Sequence, residues 1–248
     1  MRKLFEKFKS SQSPRGKVLS LVAAALLTAT AFGVVLPAAG LAETAVVVPA
    51  PALLESADAN TKLETAVVAG GCFWGMQAVF QHLNGVTAAV SGYAGGKANT
   101  AEYETVSQGT TGHAESVKIT FDPAIINYAT ILQVYFSVAH NPTELNFQGP
   151  DSGTQYRSAI FPQSDKQKQV AEAYIQQLGK SGVFKAPIVT KIEMAEAFFP
   201  AEAYHQNYAT LHPNEPYISI NDLPKVENLK GLFPKLYTAQ PMLVGSAG

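Results

Sequence analysis

The sequence predicts an α/β or α+β sandwich, and three observations carry that expectation. Short apolar or alternating runs, the pattern of strands, interleave along residues 64–212 with longer runs of helical spacing. Glycine pairs and a Ser cap fall at the joins between them. The stretch that remains after an N-terminal leader, 206 of 248 residues, suits one domain with one substantial core.

Taken in order, residues 65–69 read as a short apolar strand and Gly70-Gly71 as a sharp turn. Residues 73–83 have helical spacing, 87–92 form a second strand, and Gly92-Tyr93-Ala94-Gly95-Gly96 is a loop. Residues 115–121 alternate as a strand, and 128–139 form an apolar helix. A strand over 156–161, a helix over 164–178 started by Ser164, and a strand over 188–194 follow. A last short helix is expected from about Pro200 to His212, and the Pro-rich chain from Pro213 is expected to be irregular and to wrap over the surface. The spacing does not fix the order of the strands.

The N-terminus is a different kind of sequence. Arg2, Lys3, Lys7, Lys9, Arg15 and Lys17 stand against a single acid, Glu6, and residues 18–42 then carry no charge. That is the pattern of a secretory signal peptide over residues 1–42, with cleavage after Ala42. The uncharged run is longer than an ordinary signal core, so an uncleaved membrane anchor is the alternative. No twin-arginine pair is present, which favours the general secretory route. The expected location is therefore outside the cytoplasm, in a bacterial periplasm, with membrane contact only if the leader stays. Residues 43–63, with Pro49 and Pro51, read as a flexible linker. The domain runs over 64–237 and a tail over 238–248.

Without residues 1–42, Lys+Arg falls from 18 to 12 and Asp+Glu from 19 to 18, a net charge of about −6. A chain so acidic and without basic clusters has no electrostatic reason to bind nucleic acid. The chain has a single cysteine, Cys72, which closes no intramolecular disulfide. In an oxidising compartment such a thiol is either inert and buried or needed for chemistry. A lone cysteine is most often a buried packing residue. Here it stands in Gly70-Gly71-Cys72-Phe73-Trp74-Gly75, between a strand and a helix, where backbone N–H groups and the helix dipole favour a thiolate. That placement points to a nucleophile.

Phe73 and Trp74, the only tryptophan, offer an apolar wall beside the sulfur or, equally, core packing. Glu115, in Gly112-His113-Ala114-Glu115, would act as an acid if buried, and would be a solvated strand-end residue otherwise. Tyr103 and Tyr156 add phenolic donors among ten tyrosines, and Asp151 opens a polar loop. No metal or nucleotide motif is present: the histidines form no zinc pattern, and Glu202 with His205 is a pairing common by chance.

Together, Gly71-Cys72-Phe73-Trp74-Gly75, Gly92-Tyr93-Ala94-Gly95-Gly96, Gly112-His113-Ala114-Glu115, Gly153-Thr154-Gln155-Tyr156-Arg157-Ser158 and Ala201-Glu202-Ala203-Tyr204-His205-Gln206 resemble the A-type peptide-methionine sulfoxide reductases. The match runs from about residue 64 to 237. The resemblance implies a two-layer sandwich with a mixed sheet and a ferredoxin-like core, acting on the S epimer of methionine sulfoxide, free or in proteins, as a repair enzyme for oxidised exported proteins. It implies Cys72 as nucleophile, Glu115 as the acid at the sulfoxide oxygen, and Tyr103 and Tyr156 as phenols hydrogen-bonding that oxygen. Phe73 and Trp74 would surround the methyl group, Asp151 would lie near the cysteine, and His205 would give structural support. No cofactor or metal is implied, and the protein is expected to be a monomer.

Asn141 stands where that family usually has Asp, and Phe147 where it usually has Arg. Many relatives carry further cysteines near the C-terminus, whereas residues 237–248 have none. Attack on a sulfoxide leaves a sulfenic acid, so Cys72 is expected to be regenerated by an external thiol reductant, such as a thioredoxin-like protein. Two other functions fit fewer of these residues: a Cys72/His113 thiol hydrolase, and a non-catalytic module that binds oxidised methionine.

Overall fold

The computed structural model describes residues 45–54, 63–195 and 197–245, all within one compact unit, Ala38–Gly248. The segment 1–42 expected as a leader lies outside the described residues. Among the described residues no helix is long and apolar enough to cross a membrane.

The run Thr65-Ala66-Val67-Val68-Ala69 has no polar face because both of its faces are covered: Ala66 and Val68 enter the main core, Val67 and Ala69 a smaller one. It becomes β1 (Glu64–Ala69). The elements after it are α1 (Phe73–Gln81), β2 (Val86–Ala94), α2 (Tyr103–Val106), β3 (Ala114–Phe121) and α3 (Tyr128–Val134). Then come β4 (Phe147–Gln148), β5 (Asp151–Ser152), β6 (Ala159–Phe161), α4 (Asp165–Ser181), β7 (Lys191–Ile192) and β8 (Phe198–Pro200). The last are α5 (Tyr208–Leu211) and α6 (Leu223–Leu232). One mixed sheet has the order β7-β6-β1-β3-β2-β8, in which only β6 and β7 pair in parallel. Strands β4 and β5 form a separate hairpin. The inner order β6-β1-β3-β2, made from β1-α1-β2 and β3-α3-β6, is the split βαβ arrangement, so the α/β sandwich holds.

Helices α1, α3 and α4 fill the main core with Phe73, Met76, Val79, Phe80, Ile131, Leu132 and Tyr174. Burying each such side chain stabilises the fold by roughly 1.5–3 kcal/mol. The opposite face carries small residues, Ala69, Ala94, Ala114 and Ala159, with Phe161 and a cover from Phe198 and Ala195. Ser164 caps α4 by accepting the Gln167 N–H, and Gly182 ends the helix in the left-handed region.

Several boundaries differ from the sequence expectation. Residues 154–156 form a 3₁₀ turn, so Tyr156 precedes β6 and is not within it. The strand expected over 188–194 shortens to Lys191–Ile192. The helix expected from Pro200 is an edge strand, β8, followed by two single turns, Ala203–His205 and α5. Gln206 and Asn207 break it: Gln206 bonds the Ser91 backbone, and Asn207 adopts φ 60° while its N–H donates to Gln77. The chain after Pro213 is not irregular throughout. A π-turn, Ile218–Asp222, leads into α6, whose first turn tolerates Pro224. Ile218, Val226 and Leu229 are buried there.

Of the expected linker 43–63, residues 45–52 are docked. The Val46 N–H donates to Ser137 O, Val48 is buried, and Tyr174 Oη donates to Pro49 O. Gln177 on α4 brackets Ala50 and Ala52. Its prolines and small residues have too little polarity periodicity to announce this, and the partners lie about 125 residues away.

Candidate active site

The turn between β1 and α1 is built for close approach. Gly71 has φ 88°, and a Cβ there would fall 2.8 Å from Gln148 Cβ; one on Gly70 would fall 2.7 Å from His140 Cγ. The Gly71 N–H donates to Tyr156 O at 3.2 Å, which ties the cysteine turn to the turn carrying that phenol. Cys72 is the N-cap residue of α1 and is 9% exposed.

The expectation that this position holds a thiolate is corrected by its surroundings. Burial pushes the Cys72 thiol well above its ordinary range, the carboxyls of Glu115, Asp222 and Asp151 push it further, and only the Trp74 N–H opposes them. One helix-end donor does not offset desolvation plus nearby carboxylates. The resting group is a thiol.

Glu115 is buried near the start of β3, opposite Tyr93 in the register. Its Oε2 accepts the Phe73 N–H at 3.0 Å, satisfying the first free donor of α1. Burial pushes its carboxyl up to about 8, against the pull of that N–H. At neutral pH it is mostly an acid that can donate. Tyr103 and Tyr156 are raised by burial and then by the nearby charge of Glu115, and both feel Cys72. These four residues therefore share one site. Among the described residues neither phenol oxygen has a hydrogen-bond partner.

Tyr103 starts α2, and its N–H donates to Glu202 Oε1 at 2.9 Å while Tyr93 Oη donates to Glu202 Oε2 at 2.8 Å. Glu202 thus anchors the turn that presents Tyr103. With both oxygens occupied, Glu202 is poorly placed to bind a metal with His205. His205 orients the aromatic residues: Trp74 Nε1–H donates to its Nδ1 at 3.2 Å, and its ring lies 4.5 Å from Tyr103 and 5.1 Å from Phe73.

The two aromatics after the cysteine separate. Phe73 is 1% exposed and packs inward on Tyr93 and His205, while its N–H donates to Glu115. Trp74 is only partly buried, stacks on Tyr208 at 4.0 Å, and meets Tyr217 edge-on at 6.0 Å. Of the two rings it is the one with an open side.

Asp151 accepts a hydrogen bond from Tyr217 Oη, and burial raises its carboxyl. Tyr217 and Asp222 are site residues that the sequence did not reveal. Tyr217 is held protonated by burial and by the charges of Cys72 and Asp151. Burial raises Asp222 to about 7. Both lie in a segment whose Pro-rich composition hid its structure.

His113 is not beside the cysteine. Its Nδ1 accepts the Gly96 N–H and its Nε2 meets Lys97 O at 3.0 Å, so it clamps the loop after β2 and cannot form the dyad of a thiol hydrolase. Asn141 closes its own turn through Thr143, and its backbone pairs with the Gln148 amide; Phe147 is 40% exposed beside it. Both departures from the family pattern lie in this loop, where Asn141 supplies the turn's side-chain acceptor and Phe147 is on the surface.

A thiol, a protonated buried carboxyl, two free phenols and one aromatic wall suit acid-assisted attack on a small electrophile that carries a polar oxygen and an apolar group. A family model for peptide methionine sulfoxide reductase matches residues 64–235. A curated relative from Mesorhizobium japonicum, named peptide methionine sulfoxide reductase MsrA 2, is 65% identical over 184 residues, 74% of this chain and 94% of its own. One of the same name from Synechocystis is 48% identical over 177 residues, 71% of this chain and 83% of its own. The crystal structure of reduced Mxr1 from Saccharomyces cerevisiae is 33% identical, with a TM-score of 0.57 over 64% of this chain and 90% of that one.

Proposed function

This chain belongs to the peptide methionine sulfoxide reductase family, in its A type, and we propose that it reduces the S epimer of methionine sulfoxide through Cys72. The observation that carries the residue roles is the buried Glu115 carboxyl, raised to about 8 and hydrogen-bonded to the residue after the only cysteine.

The methyl group of the substrate rests on Trp74, and its oxygen points to Glu115, Tyr103 and Tyr156. Glu115 gives its proton to that oxygen, which makes the sulfur electrophilic. The Cys72 sulfur attacks, and its own proton replaces the one Glu115 gave up. The oxygen passes to Cys72, methionine leaves with its sulfur reduced by two electrons, and Cys72 becomes a sulfenic acid. One external thiol then displaces water to form a mixed disulfide, and a second thiol releases Cys72. A thioredoxin-like protein fits that role, because Cys72 is the only cysteine.

Incubating the protein with dithiothreitol and racemic peptide methionine sulfoxide tests the reaction. Half of the sulfoxide should be consumed, all of it S epimer, and Cys72→Ser should consume none. Without reductant, one equivalent of methionine per chain is expected. Consumption of both epimers, or turnover by Cys72→Ser, would sink the assignment.

We also propose that the protein is exported and repairs oxidised proteins in the periplasm; the basic start and uncharged run of residues 18–42 support this. N-terminal sequencing of the protein from fractionated cells should find Glu43 first in the periplasm. Full-length protein in the cytoplasm would refute export.

A further inference from the structure

Asp222 lies where an aspartate ordinarily caps a helix, at the head of α6, yet it makes no cap hydrogen bond. Its side chain is 1% exposed, and neither carboxyl oxygen has a hydrogen-bond partner. It faces α1 instead. A Cβ on Gly75, three residues after the cysteine, would fall 2.2 Å from Asp222 Oδ1, so only glycine admits the carboxyl there. Lys225 Nζ stands 4.0 Å away on the other side, itself buried. A buried, unbonded carboxyl is costly to keep.

The groups around Cys72 come from every neighbouring element. They are Glu115 on β3, Asp151 on β5, Tyr103 on α2, Tyr156 in its turn, Tyr217 before the π-turn, and Asp222 with Lys225 at the start of α6. Three carboxyls and a thiol share this buried space, with Lys225 as the cation facing Asp222 and Asp151. Charges so placed cannot all form, and each proton site depends on the others.

We propose that Asp222 is a positioning residue for the protons of the reaction: its buried carboxylate, set against the first turn of α1 and balanced by Lys225, holds Cys72 as a thiol and keeps the proton on Glu115. The inference rests on Cys72 and Glu115 acting as assigned above. Both groups respond to Asp222 in the required direction, upward. Asp222 does not touch the substrate. It acts through the field it imposes on the two groups that do.

The effect should appear only where Asp222 is ionised, above about pH 7, and a purely structural role would not have that signature. The test is alkylation of Cys72 by iodoacetamide from pH 5.5 to 9.5 in the full chain and in Asp222→Asn. At pH 8.5 the variant should react about three- to tenfold faster, one buried charge being worth roughly half to one pK unit here. At pH 5.5 the two rates should coincide. Single-turnover methionine release by the variant should also begin to fall at a lower pH, because Glu115 loses its proton sooner. Slower or unchanged alkylation at pH 8.5, or the same change at every pH, would overturn the proposal. If Asp222→Asn does not fold, Asp222→Ser carries the same test, and failure of both to fold would assign Asp222 to the scaffold and overturn it. Alkylation reads the thiol without any sulfoxide, so a wild-type protein that alkylates as described but releases no methionine would refute the reductase chemistry alone.

Discussion

Replacing Glu115 with glutamine leaves an oxygen to accept the Phe73 N–H and removes the proton that the reaction needs. The same change should make the protein more stable above neutral pH but not in acid. The Glu115 carboxyl ionises at about 8 in the fold against an ordinary 4.5. Because its folded value is raised, the folded state holds the proton more tightly, and the stability this confers is complete below 4.5 and lost as pH rises to 8. At 1.36 kcal/mol per unit, the loss is on the order of 4 kcal/mol at pH 7.5 and below about 1 kcal/mol at pH 5. Glutamine does not titrate, so it escapes that loss. Its NH₂ is a new buried donor, which costs about 1–2 kcal/mol at every pH. Urea unfolding should therefore show Glu115→Gln near or below wild type at pH 5 and above it by about 2 kcal/mol at pH 7.5. Single-turnover methionine release should fall by at least about a hundredfold, the usual contribution of a general acid. An equal stability difference at both pH values would refute the buried-acid reasoning, and retention of more than a tenth of the rate would refute the catalytic role.

Three further changes follow from the geometry. Gly71→Ala meets both a φ of 88° and a contact of 2.8 Å with Gln148 Cβ, so it should cost about 2–3 kcal/mol in thermal unfolding and slow alkylation or turnover as Cys72 is displaced. Glu202→Ala releases the N–H of Tyr103 and the hydroxyl of Tyr93; kcat should drop about tenfold with the alkylation rate of Cys72 unchanged, and an unaltered kcat would show that the α2 turn holds without it. Val48→Ala removes a buried side chain from the docked N-terminal strip and should lower stability by about 1–2 kcal/mol with normal turnover; no change in the melting temperature would mean that the strip is not docked in solution.

The fold was legible where a pattern was local. The apolar run at 65–69, the glycine turn, the alternation of 115–121 and the Ser164 cap each announced an element near its true position. Of the site, only the cysteine turn was legible in this way: Cys72 and Trp74 stand in a glycine-flanked segment, whereas Glu115, Tyr103 and Tyr156 have no local signature and drew their expected roles from the family resemblance. Asp222 and Tyr217 were not legible either, because neither has a local signature. Each acquires a role only when α6 is laid against α1, and Pro216 and Pro224 disguised the segment between them as loop. The 45–52 strip was missed for a similar reason, since its partners on α3 and α4 are distant in sequence. The raised thiol is hidden from the sequence for the opposite reason. A helix N-terminus is visible in sequence, and it does lower the Cys72 value through Trp74, but desolvation and three converging carboxyls are tertiary facts and outweigh it.

That inversion bears on how an enzyme with one cysteine keeps it from stray oxidants. A free thiolate at a helix end would react with any oxidant or disulfide it met, and this chain has no second cysteine to recover the product by an internal disulfide. On the proposed mechanism, a buried thiol held neutral by its neighbours reacts slowly until the sulfoxide oxygen takes the proton of Glu115. Reactivity is then coupled to the presence of the sulfoxide. The arrangement costs stability through Glu115 and Asp222, both buried and shifted against their charged forms. It follows that a variant which removes the Asp222 charge should lose selectivity: Asp222→Asn should lose Cys72 to hydrogen peroxide faster than wild type at pH 8.5. Equal inactivation rates at that pH would refute the link between the acidic surroundings and protection of the thiol.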